Sequence, residues 1–207
     1  MMRTIRLYGV LCCLLFVLTA CSMPVTRTDS AAKTSLLNWN ERLAYLQQTD
    51  EWGVSGRIAM RTPEDAWSAS LKWQQRDTDF DIQLFGPLGG KALSVTGGKD
   101  YVVLTTDEGE TFSEQNAAAL IYRQTGWHVP VDSLHYWARA MQIPGQDALV
   151  EHDENGRLTR LQQAGWDIHY QDYQVVDQLE MPRKLRLENK NFTVKLIFRG
   201  WQLGQRS

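Results

Sequence analysis

Alternation of apolar and polar residues runs through most of this chain and constrains its fold more than any other feature. Trp52, Val54, Gly56, Ile58 and Met60 share one parity. Trp67, Ala69, Leu71 and Trp73 repeat it, with Ser68, Ser70, Lys72 and Gln74 between them, and Phe80, Ile82 and Leu84 continue it. A strand sends successive side chains to opposite faces, so each segment has one dry face and one wet one. That is the mark of an antiparallel sheet covered on one side. Thr62-Pro63-Glu64-Asp65 and Gln75-Arg76-Asp77-Thr78 read as turns. With Gly89-Gly90, Thr96-Gly97-Gly98-Lys99 and Asp107-Glu108-Gly109 as further punctuation, residues 50–113 form a meander of six short strands. No βαβ alternation occurs, which argues against a Rossmann-type sheet.

Three helical patches break the strand pattern. The spacing of Trp39, Leu43 and Leu46 predicts an amphipathic helix from about Asp29 to Gln48, with Asp29 as its cap. Two shorter patches fall at 114–124 and 133–141. Five more strands are expected near 147–152, 157–163, 166–172, 183–188 and 192–199, with Glu154-Asn155-Gly156 as a hairpin turn and Gln174–Pro182 as a longer connection. About eleven strands and three helices fit one highly curved antiparallel sheet with helices on its concave face. A sandwich is the alternative.

The N-terminus is a processing signal. Arg3 and Arg6 precede an apolar run from Leu7 to Leu18, 12 residues long, too short to span a bilayer as a helix but suited to a leader. It ends in Leu18-Thr19-Ala20-Cys21, which resembles the lipobox of bacterial lipoproteins. That resemblance implies removal of residues 1–20 and acylation of Cys21. Three acyl chains exceed the roughly two signals needed for stable anchoring. Ser22, where an Asp favours inner-membrane retention in this class, implies an outer-membrane address on the periplasmic side. Residues 21–35 read as a lipidated start and flexible tether, leaving 36–207 as one folded domain.

Composition narrows the chemistry. The other two cysteines, Cys12 and Cys13, fall in the leader, so no disulfide, thiol nucleophile or thiolate site is expected in the domain. The formal charge of -2 gives no support for nucleic-acid binding. His128, His135, His152 and His169 show no metal spacing, and neither a GxSxG nor a phosphate-binding loop is present. Asp77, Asp79 and Asp81 lack the glycine and terminal glutamate of a calcium loop and read as a solvated face. Neither catalysis, a metal nor a cofactor is expected. Arg57, Arg61, Lys72 and Arg76 add a local basic face, suited to an acidic partner or lipid head groups if it surrounds a cavity mouth.

Leu84-Phe85-Gly86-Pro87-Leu88-Gly89-Gly90 is an apolar turn where a polar one is usual. Leu88 sits among residues too small to cover it. It either folds back on the core or projects as a hydrophobic probe, with about 1.5–3 kcal/mol available on burial. That is too little to anchor a protein and enough to bias a contact already held close by a lipid tether.

The lipobox, the strand pattern, Trp73-Gln74-Gln75, Pro87-Leu88-Gly89 and Met181-Pro182, in that order, resemble the LolB family of outer-membrane lipoprotein receptors over nearly the whole chain. The resemblance implies an open half-barrel of about eleven antiparallel strands whose apolar cavity is covered by about three helices. It implies a receptor that accepts triacylated lipoproteins from the soluble periplasmic carrier LolA and inserts them, without nucleotide, into the inner leaflet of the outer membrane. Partners would then be the carrier, the acylated cargo and outer-membrane phospholipid, and a monomer suffices. Pro87, Leu88 and Gly89 take the part of the family's insertion loop. Such a cargo carries roughly 45 chain carbons; at about 0.8 kcal/mol per CH₂ their exposure costs on the order of 35 kcal/mol, so they must pass between apolar containers.

Inward-parity residues are the candidates to line that container: Trp52, Val54, Ile58, Met60, Trp67, Leu71, Trp73, Phe80, Ile82 and Leu84 from the first meander. Leu120, Trp137 and Met141 are added from the helices, and Trp166, Ile168, Phe192, Val194, Leu196 and Phe198 from the later strands. Taken singly, each fits a filled core as well as a cavity wall. The competing readings are a structural lipoprotein with a filled core and a lipoprotein that binds lipid or glycolipid.

Overall fold

The computed structural model describes residues 36–125 and 131–204. The leader, Cys21 and the tether lie outside the described residues. Eleven strands form one antiparallel sheet: β1 (Glu51–Arg61), β2 (Ala66–Arg76), β3 (Asp79–Phe85), β4 (Lys91–Gly97), β5 (Val102–Thr106), β6 (Thr111–Glu114), β7 (Ala148–His152), β8 (Leu158–Gln163), β9 (Trp166–Val176), β10 (Leu179–Glu188) and β11 (Thr193–Leu203). Helix α1 spans Trp39–Gln47, α2 Ala117–Thr125 and α3 Val131–Ala138.

The strand order is β6-β5-β4-β3-β2-β1-β11-β10-β9-β8-β7. Two meanders, β1 to β6 and β7 to β11, are therefore joined along a single seam between β1 and β11, and the sheet stays open, with β6 and β7 as its edges. It is one curved sheet and not a sandwich. The seam contains a bulge at Ser55/Gly56, where Phe198 lies opposite Gly56 and Gly200 opposite Ser55. Bulges sharpen strand bending and twist. A Cβ at Gly56 would run into the backbone carbonyl of Ile197, so only glycine permits this approach.

Two sequence expectations are corrected. The first helix starts at Trp39 instead of near Asp29: Asn38 caps it, accepting from Glu41 N at 3.0 Å while Glu41 Oε2 accepts from Asn38 N at 2.9 Å. This reciprocal pair satisfies two orphan donors and fixes the start. Leu36 and Leu37 precede the cap and lie outside the helix, so their apolar character does not mark a helical face. Gln174–Pro182 is not a connection either. β9 and β10 run through it to a two-residue turn at Asp177-Gln178, Val176 pairing with Leu179. Pro182 is tolerated because the register shifts beside it, as proline requires in a paired strand.

Candidate functional site

Alternation sends one face of each strand into the concave side, where α2 and α3 cover it. Between them lies a cavity of about 120 Å³ walled by eighteen residues, every one Ile, Leu, Val, Met or Trp. Eleven of the nineteen expected residues stand in that wall: Ile58, Met60, Trp67, Leu71, Trp73, Ile82, Leu84, Trp137, Trp166, Val194 and Leu196. Seven others complete it. Leu93, Val95, Leu104 and Leu187 come from strands, Ile121 from α2, and Val131 and Leu134 from α3. Their parity was readable in the sequence, since Leu93 and Val95 alternate along β4. What the sequence did not show was how far the cavity extends across β4 and β5.

The remaining eight candidates lie outside this wall. Trp52 and Val54 occupy the opposite end of β1, where the Trp52 ring packs at a tilt against Trp73 at 4.8 Å and Trp201 at 5.6 Å between ring centroids. Leu120, Met141, Ile168, Phe192 and Phe198 are buried core, and Phe198 meets Trp201 edge-on at 5.1 Å. Phe80 packs half-buried against the core from β3. Parity decides which face a side chain takes. It does not decide whether that part of the face is filled by a neighbour.

Arg57, Arg61 and Lys72 are placed on the outer face, alternating with Ile58, Met60, Leu71 and Trp73, which line the cavity from the inner one. They do not ring the cavity interior. Arg76 pairs with Glu51 at 2.9 Å at the end of β2.

The cover is tied down at one end. Trp137 Nε1 donates to Gln163 Oε1 at 3.2 Å, and Tyr170 Oη donates to the Trp137 carbonyl at 3.0 Å. Gln163 also receives Ile143 N at 2.9 Å and donates to the carbonyls of Ile143 and Gln146 at 3.1 and 3.2 Å. Buried polar groups with partners this complete hold one arrangement. The C-terminal end of α3 is therefore fixed to β8 and β9. Helix α2 buries Ala117 and Leu120 in the core; Asn116 Oδ1 caps Ala119 N at 3.0 Å, Arg123 pairs with Glu114, and Ile121 lines the cavity.

The β3–β4 loop projects away from this core. Gly89 N donates to the Gly86 carbonyl at 3.0 Å, and Gly86 N donates to the Gly90 carbonyl at 2.9 Å. Pro87 pre-sets the turn and Gly89, at φ +82°, takes the left-handed position that closes it. Leu88 between them is fully exposed, the most exposed large apolar side chain among the described residues. Among those residues no helix is long and apolar enough to cross a membrane.

The fold is thus of one class: an open curved sheet that encloses an apolar cavity under helices, with one exposed leucine on a tight turn. Comparison with known proteins narrows this class. The LolB profile, described as outer membrane lipoprotein LolB, matches residues 50–201, and the chain belongs to the LolB family. It is similar to the outer-membrane lipoprotein LolB of Nitrosococcus oceani, with 34% identity over 91% of this chain and 94% of the relative. To that of Chromohalobacter salexigens it is 36% identical over 80% and 77%. Among solved structures, an outer-membrane lipoprotein-sorting protein domain from Vibrio parahaemolyticus shares the fold at a TM-score of 0.50, with 10% identity over 80% of this chain and 90% of that one. A DUF1329 family protein from Desulfovibrio piger does so at 0.50, with 7% identity over 79% and 90%.

Proposed function

We propose that this protein receives triacylated lipoproteins from a soluble carrier at the periplasmic face of the outer membrane and delivers them into it, anchored through Cys21. The observation that carries the reading is the all-apolar cavity between the sheet and α2/α3, joined in one molecule to the exposed Leu88. Family membership supports it, since the relatives are outer-membrane lipoproteins.

The cavity volume sets a condition on how this works. At about 120 Å³ it is near the roughly 150 Å³ that holds one benzene-sized molecule, and below the roughly 300–1,000 Å³ of drug-sized sites. Three acyl chains do not fit it. Uptake of such a cargo therefore requires this space to widen. Transfer needs no nucleotide, because exchange from one apolar container to a better one, and then to bilayer, is downhill.

A transfer assay with the carrier loaded with a triacylated lipoprotein tests the reading. Leu88→Glu leaves uptake intact and stops delivery into vesicles; Val194→Phe, which fills the cavity, stops uptake itself. Uptake by Val194→Phe at the unmodified rate contradicts the cavity as the acyl site.

A further inference from the structure

A second recess, about 510 Å³ in volume, lies at the rim of the sheet where β1 turns into β2. It is lined by Arg61, Arg186 and Lys195 together with Pro87, Met60 and Trp67. Pro87 belongs to the turn that carries Leu88. Met60 and Trp67, opposite one another on β1 and β2, line the acyl cavity as well, so this one cross-strand pair stands between cavity and recess.

We propose that the recess binds the phosphate of a membrane phospholipid head group and docks this end of the domain on the bilayer. This inference rests on the proposed function and names the lipid chemistry that the Leu88 contact would meet. The chain as a whole is acidic, at -2, yet Arg57, Lys72, Lys184 and Arg199 extend the three cations into one basic outer face on the adjacent strands β2, β1, β11 and β10. Among the described residues no carboxylate stands within ion-pairing distance of Arg57, Arg61, Lys72, Lys184, Lys195 or Arg199. Arg186 is matched by Glu188, and Glu64 and Asp65 sit in the turn after Arg61, so the recess keeps a net positive charge at Arg61 and Lys195. A guanidinium presents a planar fork that fits phosphate oxygens, and an ammonium beside it adds a point charge.

A single leucine on a tight turn offers a wedge to fluid acyl chains and too little surface for a specific protein interface, which favours a bilayer over an acidic protein as the occupant. With the phosphate held at Arg61 and Lys195, Leu88 enters the bilayer beside it. Cargo chains passing the Met60–Trp67 pair then emerge at the membrane instead of in water.

The test uses the mature acylated protein in vesicles, with an environment-sensitive fluorophore on Gly90→Cys. Gly90 has a negative φ and open space around its Cα, so the substitution fits. In phosphatidylglycerol–phosphatidylethanolamine vesicles the label reports an apolar setting, and in vesicles of a phosphate-free galactolipid with the same chains it reports water. Removing the exposed cations in Arg61→Gln/Lys195→Gln lowers the inserted fraction about tenfold or more, and each single variant, which stands in if the double does not fold, lowers it several-fold.

Equal insertion in both vesicle types, or insertion unchanged in these variants, overturns the site. So does suppression by millimolar inorganic phosphate, which makes it a free-anion site. Loss of carrier-dependent uptake with insertion unchanged makes the recess a protein-docking surface and also overturns it. A label that stays in water for the unmodified cations in every vesicle overturns the membrane role of Leu88, and this site with it.

Discussion

Arg42 Nη2 donates to the backbone carbonyl of Arg139 at 2.5 Å, and Arg139 reaches back to the carbonyls of Leu46 and Thr49 at 3.1 and 3.3 Å. Two buried arginines thus join α1 to the end of α3 through carbonyl oxygens alone. Arg42 Nε also donates to Glu180 O at 2.6 Å, and its guanidinium lies 4.2 Å from the Trp39 ring centroid. Burial drives both arginines down to about 10, which still leaves each charged at neutral pH. A lysine starts about two units lower and would be pushed toward its neutral form in the same place. Arg42→Met should destabilise the fold by about 1–3 kcal/mol through carbonyls left without a donor, and Arg42→Lys should recover little of it. Denaturant unfolding of the two variants checks this; full recovery by lysine contradicts it.

Gly56 sits at the seam that joins the two meanders. Gly56→Ala places a methyl group against the Ile197 carbonyl, where backbone and not a flexible side chain must give way. A loss of about 2–4 kcal/mol is expected, at the upper end for overpacking. Gly90→Ala, with nothing within 4 Å, serves as the control and should be near neutral. Equal melting temperatures for the two variants would mean that the bulge is not under constraint.

Val194→Phe adds a ring where the cavity is empty. In a filled core such a change costs about 1–3 kcal/mol. Here Val194 lines about 120 Å³ of free apolar space, so stability should hold or rise while cargo uptake falls. A marked drop in the unfolding midpoint contradicts the cavity as a usable space.

His135 lies on α3, next to the cavity residue Leu134. Burial, and then the charge of Arg139, push its imidazole down to about 4. In the unfolded chain it titrates near 6.5, so between pH 6.5 and 4 the unfolded state binds more proton than the native state. Stability from this group is therefore full above pH 6.5, declines as pH falls through that window, and levels off below about 4. A loss on the order of 1–2 kcal/mol is expected at pH 5, and His135→Gln should remove most of it. Melting curves at pH 7.5 and 5 for both proteins read this directly. Asp167, held at about 2 first by its hydrogen bonds from Arg160, adds stability that is complete above the ordinary carboxylate range and is lost only as pH falls from there toward 2, so it does not blur the window.

The strands were legible because side-chain alternation is a local property. Each of the six strands of the first meander was anticipated within a few residues, as was Leu88 as a turn residue with two possible fates. Pro182 misled because a register shift in β10 is a property of its pairing with β9, and pairing is not written in either strand alone. Asp29, expected as the cap of the first helix, lies outside the described residues; the helix described from Trp39 is capped by Asn38 and Glu41 instead. The cavity wall was legible as a face but not as an outline. Trp52 and Trp73 share an inward parity, yet Trp52 is covered by Trp201 and Arg139 while Trp73 borders open space. The arginine clamp was not anticipated at all, because an Arg whose partners are carbonyls 97 and 138 residues away leaves no mark in sequence spacing.

Tryptophan emission offers the most direct measurement of the central claim. Trp67, Trp73, Trp137 and Trp166 all face the cavity, and Trp137 is fully buried. A triacylated lipoprotein with brominated acyl chains should quench the emission of these four of the eight tryptophans on binding, because the bromines must reach those rings. The same cargo with unbrominated chains should leave it nearly unchanged. Binding of the brominated cargo without quenching would place the chains outside the cavity.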